Sequence, residues 1–291
     1  MSWRSLNIRL LFGISDWNRD RKLKIPETVL VRKDLSYGPG GKWNRLDLVT
    51  PRDAKGLLPV IVSIHGGAFV YGTKEVYQYY AANLAENGFA VINFNYRLAP
   101  EHRFPAQLED TERVMAWLLD HASEYGLDPD RVFLVGDSAG AQLACHYAAL
   151  NSNPEFGKRF SFHSPGRVKF RAVALNCGLY EILPRQGIAM DPVVRDYLEP
   201  GQRMEDLRLD VMGAITEAFP PAYVMTAEED FLREAAKPMY ERLVNAGVPA
   251  KYALWTGSGQ TRLGHVFHVN MNLPEAKQCN REQCEFFRTY L

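Results

Sequence analysis

Four cysteines, no long apolar run and no excess of either charge are the first constraints on this 291-residue chain. Cys145, Cys177, Cys279 and Cys284 form no CxxC motif. Cys145 and Cys177 sit in apolar surroundings and read as reduced core residues. Cys279 and Cys284 are within reach of pairing in sequence but read as unpaired. No Asn-x-Ser/Thr acceptor occurs. This usage fits a reducing, cytoplasmic setting. Lys plus Arg and Asp plus Glu both number 34, so the formal charge is zero. With no basic stripe, nothing points to nucleic acid. Leu10-Leu11-Phe12 is too short for a signal-peptide core or a membrane span. The stretch Met1 to Trp17 reads instead as an amphipathic helix packed on the protein's own body.

What is present is an alternation of strands and helices, with no internal repeat. Residues 1 to about 32 read as helical or irregular. Strands are expected at 44–50, 59–64, 89–96, 131–135, 168–176, 222–226 and 250–255. Helices are expected near 76–87, 108–125, 141–150, 233–245 and 274–288. Pro59 to Ile64 is nearly continuously apolar, as a strand buried on both faces should be. This rhythm implies a mostly parallel sheet covered by helices on both sides. It breaks at 178–219, where Pro184, Pro192 and Pro200 separate short apolar patches. The break reads as an inserted cap at about 179–219. The first 45 residues read as an N-terminal cap segment and 46–291 as the catalytic domain.

The chemistry centres on Gly136-Asp137-Ser138-Ala139-Gly140, between an apolar strand and a helix. A serine on such a strand–turn–helix elbow stands clear of the sheet, at a helix N-terminus. The flanking glycines suit a turn with little room for side chains. A serine hydroxyl needs a base, and the base an orienting carboxylate; in this kind of fold they follow in the order serine, acid, histidine. Of seven histidines, only His265 and His268 lie late enough, after the last strand. His265 is preferred, because His268 flanks the final helix. The acid lies among Glu228, Glu229 and Asp230, past the strand at 222–226, where charge alone does not choose. His65-Gly66-Gly67 follows another strand, and backbone N–H groups of Gly66, Gly67 and Ala139 are expected to form an oxyanion hole.

Together with these, Tyr96-Arg97-Leu98-Ala99-Pro100-Glu101, Glu229-Asp230-Phe231-Leu232-Arg233 and His265-Val266-Phe267 make the chain resemble the hormone-sensitive-lipase family of α/β-hydrolase esterases, from about residue 45 onward. The resemblance implies an α/β-hydrolase fold with an eight-stranded, mostly parallel sheet, strand 2 antiparallel, and a small helical cap. It implies Ser138 as nucleophile, Asp230 as acid and His265 as base. Arg97, Glu101 and Asp110 are expected to brace loops by ion pairing. The chain departs from the family pattern at Ala68, in place of a third glycine, and at Phe231, Glu234 and Val266.

The activity implied is hydrolysis of short-chain acyl esters, acetyl to butyryl, through an acyl-enzyme and without metal or organic cofactor. The substrate would be a small-molecule ester such as an acetylated sugar or small natural product. Ala68, Tyr180, Met190, Tyr197 and Val266 are candidate pocket residues, with Trp3, Phe12 and Trp17 from the N-terminal segment. An amidase or lactonase shares this chemistry, and a catalytically silent hydrolase-like receptor is the reading from outside enzymology. A homodimer is compatible with the resemblance, although no pairing surface is legible.

Overall fold

The computed structural model describes residues 1–163, 166–182, 189–202 and 205–291. Eight strands form one sheet: β1 Val29–Ser36, β2 Arg45–Pro51, β3 Leu58–Ile64, β4 Ala90–Phe94, β5 Leu127–Asp137, β6 Phe170–Asn176, β7 Ala222–Ala227 and β8 Ala250–Trp255. Their order is β1-β2-β4-β3-β5-β6-β7-β8. β2 is antiparallel to both neighbours, β1 and β4, and every other pair is parallel. This is the eight-stranded architecture that the resemblance implies.

The helices are α1 Trp3–Asp20, α2 Gln78–Glu86, α3 Ala106–Tyr125, α4 Ala139–Ser152, α5 Pro154–Gly157, α6 Pro192–Tyr197, α7 Val211–Ala214, α8 Arg233–Asn245 and α9 Pro274–Arg288. Two apolar cores lie on opposite faces of the sheet. Val60, Val62 and Ile64 point into the core shared with α3, α4 and α8, whereas Ile61 points into the one shared with α2 and α9. Strands apolar on both faces are what a sheet covered twice requires.

Two sequence expectations change at the N-terminus. Val29–Ser36 is an edge strand, not helix or irregular chain, and Asp34 at φ 59° breaks its register with β2 between Arg32 and Leu35. The first 45 residues therefore divide: β1 joins the sheet, while α1 packs against α6. Of the stretch expected to form an inserted cap, residues 183–188, Pro184 among them, and 203–204 lie outside the described residues.

One buried cation ties the site loop to the sheet. Lys74 is 2% exposed, and its Nζ lies 2.9 Å from Asp47 on β2, 2.9 Å from Asp34 and 2.7 Å from Glu75. Its main chain bonds to the side chains of Asn93 and Asn95 on and after β4. Burial works against the lysine charge, but the three carboxylates more than offset this and raise its pKa. Removing one partner of a buried pair strands the other charge. Lys74→Met is therefore expected to lower stability by about 3–5 kcal/mol in urea denaturation. Asp34→Asn, at the exposed end of the cluster, should change it far less; equal losses would show that the buried pair does not dominate.

Candidate active site

The site is built at the carboxyl ends of β3, β5 and β7, where open α/β sheets collect their ligands. Between β5 and α4 the chain reverses at Ser138, with φ 53° and ψ −120°. Holding a non-glycine residue there costs on the order of 1–3 kcal/mol. The turn is set by its neighbours. A Cβ on Gly136 would lie 2.1 Å from the Gly140 carbonyl oxygen, and one on Gly140 would lie 2.1 Å from the Ile64 carbonyl oxygen. The Ser138 N–H donates to the Asn176 carbonyl at 2.9 Å, which fixes the turn to β6. Ser138 also caps α4, whose positive N-terminal end lies at the hydroxyl.

After β7 the three acidic residues diverge. Glu228 accepts from the N–H groups of Gly257 and Leu263, bracing the loop after β8. Glu229 bridges to Gly264 through its main chain and faces Arg262. Asp230 turns inward and is 5% exposed. Its Oδ1 lies 2.7 Å from His265 Nδ1, and His265 Nε2 lies 2.9 Å from Ser138 Oγ. Thr226 Oγ1 donates to Asp230 Oδ2 at 2.8 Å, and the Leu232 N–H donates to Oδ1 at 2.9 Å. Burial alone would raise the Asp230 pKa. The bonds from His265, Leu232 and Thr226 overcome it and hold the carboxylate below its usual range.

His268 does not share in this. It is fully buried, packs edge-on against Tyr80, and burial lowers its pKa to about 3. His65 is also buried and stacks on Tyr96, and burial lowers its pKa to about 4. Cys177 Sγ lies beside the pair, with one ligand atom each of Cys177, Asp230 and His265 within 4.8 Å of one another. A metal there would need a thiolate and a free imidazole nitrogen. Burial, with Asp230 adding to it, pushes the Cys177 thiol well up, and both His265 nitrogens are engaged. These residues fit a metal poorly.

The loop after β3 corrects one expectation. The Gly66 N–H donates to Tyr77 Oη at 3.0 Å, and Tyr77 Oη donates to Asp137 Oδ2 at 2.6 Å. Gly66 thus spends its N–H inside the protein. Gly67, Ala68 and Phe69 follow at φ 116°, 54° and 65°, carrying the chain past Ser138. Tyr77 was not legible as a site residue. Asp137 stands inside the serine motif, but the sequence assigned it no role. Arg97 pairs with Glu109 and Asp110 at 2.6 and 3.0 Å, and Glu101 pairs with Arg9 of α1, so all three expected bracing residues are ion-paired.

Two recesses meet at Ser138 and His265. One, of about 70 Å³, includes Gly67, Tyr71, Tyr77 and Val266 in its lining. The other, of about 890 Å³, is largely apolar and includes Ile8, Phe12, Ala68, Met190 and Phe231. Phe231 packs its ring 4.2 Å from the His265 ring. Tyr180 and Tyr197 line neither recess. Tyr180 is 3% exposed, and Tyr197 is fully buried and stacked on Phe69. Trp3 and Trp17 point outward instead, at 70% and 63% exposure. Val266 takes φ 52°, a conformation in which glycine is easier.

Burial raises the Asp137 pKa to about 7. In an unfolded chain the value is about 3.9. The native state therefore holds an extra proton between those values. The stability this contributes is complete below the lower value and is lost as pH rises through the higher one. Asp137→Asn keeps an acceptor for Tyr77 and has no proton to lose. Its thermal midpoint is expected to fall less than that of the parent between about pH 5 and pH 8. Parallel slopes for the two proteins would contradict the assignment.

Residues 61–268 match the family model described as alpha/beta hydrolase fold. Over 182 residues, 62% of this chain and 41% of the relative, the chain is 33% identical to the probable carboxylic ester hydrolase LipM of Mycobacterium tuberculosis. It is 29% identical to the esterase LipQ of the same organism over 68% of this chain and 46% of the relative. The match thus spans less than half the length of either. Esterase B from Lactobacillus rhamnosis superposes with a TM-score of 0.85 at 26% identity, covering 97% of this chain and 92% of that one. Esterase B is also known in a form inhibited by a C6-C4 SN3 compound. With the match over residues 61–268 and the eight-stranded sheet in place, the chain belongs to the alpha/beta hydrolase fold family.

Proposed function

We propose that this protein is a serine carboxylesterase of the hormone-sensitive-lipase type that hydrolyses short-chain acyl esters of small alcohols. The observation that carries the reading is the relay Asp230–His265–Ser138, with 2.7 and 2.9 Å between successive partners. Ser138 Oγ attacks the ester carbonyl and gives its proton to His265 Nε2. Asp230 holds the imidazole in the tautomer with Nδ1 protonated and stabilises the imidazolium that forms. The negative charge on the former carbonyl oxygen rests on backbone N–H groups of Gly67, Ala68 and Ala139, Ala68 taking the place expected of Gly66. His265 then protonates the leaving alcohol, and water releases the acyl group by the same route.

The two recesses suit a division of the substrate. The smaller takes the acyl group, which its size restricts to a few carbons. The larger takes the alcohol, under a cover formed by α1 and residues 189–195. Esterase B's inhibition by a C6-C4 compound supports an ester substrate of modest chain length.

The test is a set of initial rates on p-nitrophenyl esters from acetyl to palmitoyl, with acetylated xylose, an anilide and a lactone beside them. Short esters are expected to be fastest, and Ser138→Ala to lower the rate by at least about 10⁴-fold. Tyr77→Phe frees the Gly66 N–H and loosens the loop carrying the oxyanion donors. It is expected to lower kcat by about ten-fold, with KM changed less. Faster turnover of the anilide or lactone would reassign the reaction within acyl transfer. Rates that do not depend on Ser138 would overturn the reading.

A further inference from the structure

α1 is amphipathic in the inverted sense. Its inner face is held largely by polar contacts. Ser2 and Ser5 bond to Asp196, Arg9 donates to the carbonyls of Val70 and Ala99 and pairs with Glu101, and Asp16 accepts from Tyr71. Its outer face is apolar: Trp3, Leu6, Leu10, Ile14 and Trp17 recur at steps of three and four, and Leu11 joins them. A helix of a globular protein ordinarily buries such a stripe. Half of the exposed large apolar side chains among the described residues lie on this one helix. Trp3 and Trp17 stand at its two ends, about 21 Å apart at the helical rise.

The charges around the stripe indicate what covers it. Arg21, Lys22 and Lys24 follow the helix, are exposed, and make no salt bridge among the described residues. The acids of α1, Asp16 and Asp20, are turned inward onto Arg19. Glu27 is the one exposed acid in the first thirty residues. A second copy packed antiparallel on this stripe would bring the basic end of one helix to the Arg4 end of the other, where the acid at hand, Asp191, is already paired with Arg4. An anionic lipid surface offers apolar depth for the stripe and negative headgroups for the basic end.

We propose that α1 docks the protein on anionic lipid surfaces, lying in the interface plane with Trp3, Leu6, Leu10, Leu11, Ile14 and Trp17 inserted. The opposite side of the helix, through Ile8 and Phe12, walls the large recess that reaches Ser138. Docking therefore holds that recess one helix away from the film and concentrates the protein where lipid-dissolved esters partition. This benefit rests on the esterase reading; docking does not, and is measured without turnover.

The test is flotation of the full chain with vesicles of phosphatidylcholine alone or with about 30% phosphatidylserine. At least about ten-fold more protein should float with the anionic vesicles, Trp emission should shift to the blue, and about 0.5 M salt should reverse most of the binding. Leu10→Glu with Ile14→Glu should lower flotation by about ten-fold or more, while circular dichroism and hydrolysis of a water-soluble short ester stay as in the parent. Absence of the parent protein from both vesicle fractions would overturn the proposal. So would a dimer in sedimentation velocity that the same double substitution abolishes, because the stripe would then be an interface between copies.

Discussion

The turn at Ser138 is the constraint on which the rest of the site depends. No side chain fits on either side of it, since Gly136 and Gly140 approach backbone atoms to distances a Cβ cannot share. That closeness packs the end of β5, the start of α4 and the end of β3 against one another. It also places the loop after β3 beside the serine, and it holds Ser138 in a conformation that an unsupported chain would leave. The Asn176 carbonyl on the Ser138 N–H and the helix that follows supply the support. The hydroxyl is then fixed in space, and His265 and Asp230 need only be brought to it by the ends of β7 and β8.

Beside this turn, two buried carboxylates are treated in opposite ways. Asp230 keeps its charge through bonds from an imidazole, a hydroxyl and a backbone N–H. Asp137 is more completely buried; the Tyr77 hydroxyl and the Gly66 N–H do not make up for the lost water, and burial leaves its proton on until near neutral pH. The contrast follows from the burial of each group and the donors supplied to it, because an interior carboxylate is charged only where hydrogen bonds or a cation replace water. It also explains why Tyr77 matters: one hydroxyl joins the loop after β3 to the floor of the serine turn.

Most of the sheet was legible because strands buried on both faces are written as apolar runs. β3 and β4 are of this kind, and the limits expected for α8, β8 and α9 are those observed. β1 was not legible. As an edge strand it is half exposed, carries Arg32, Lys33 and Asp34, and loses its alternation at the Asp34 bulge. In the site, the serine, the acidic cluster and the late histidine were written in local motifs. The choice of Asp230 over its neighbours came from the family resemblance and not from charge, because it depends on which carboxylate the turn after β7 points inward. The Gly66–Tyr77–Asp137 connection and the burial of Tyr180 and Tyr197 are tertiary facts. A tyrosine reads alike in sequence whether it lines a pocket or fills a core.

The most direct measurement of the central claim is intact-protein and peptide mass spectrometry after exposure to a short-chain alkyl phosphonate ester. A nucleophile activated by His265 should yield one adduct per chain, carried by the peptide that contains Ser138, and His265→Ala should slow its formation by orders of magnitude. Labelling at another residue, or labelling of Ser138 at the same rate without His265, would contradict the account.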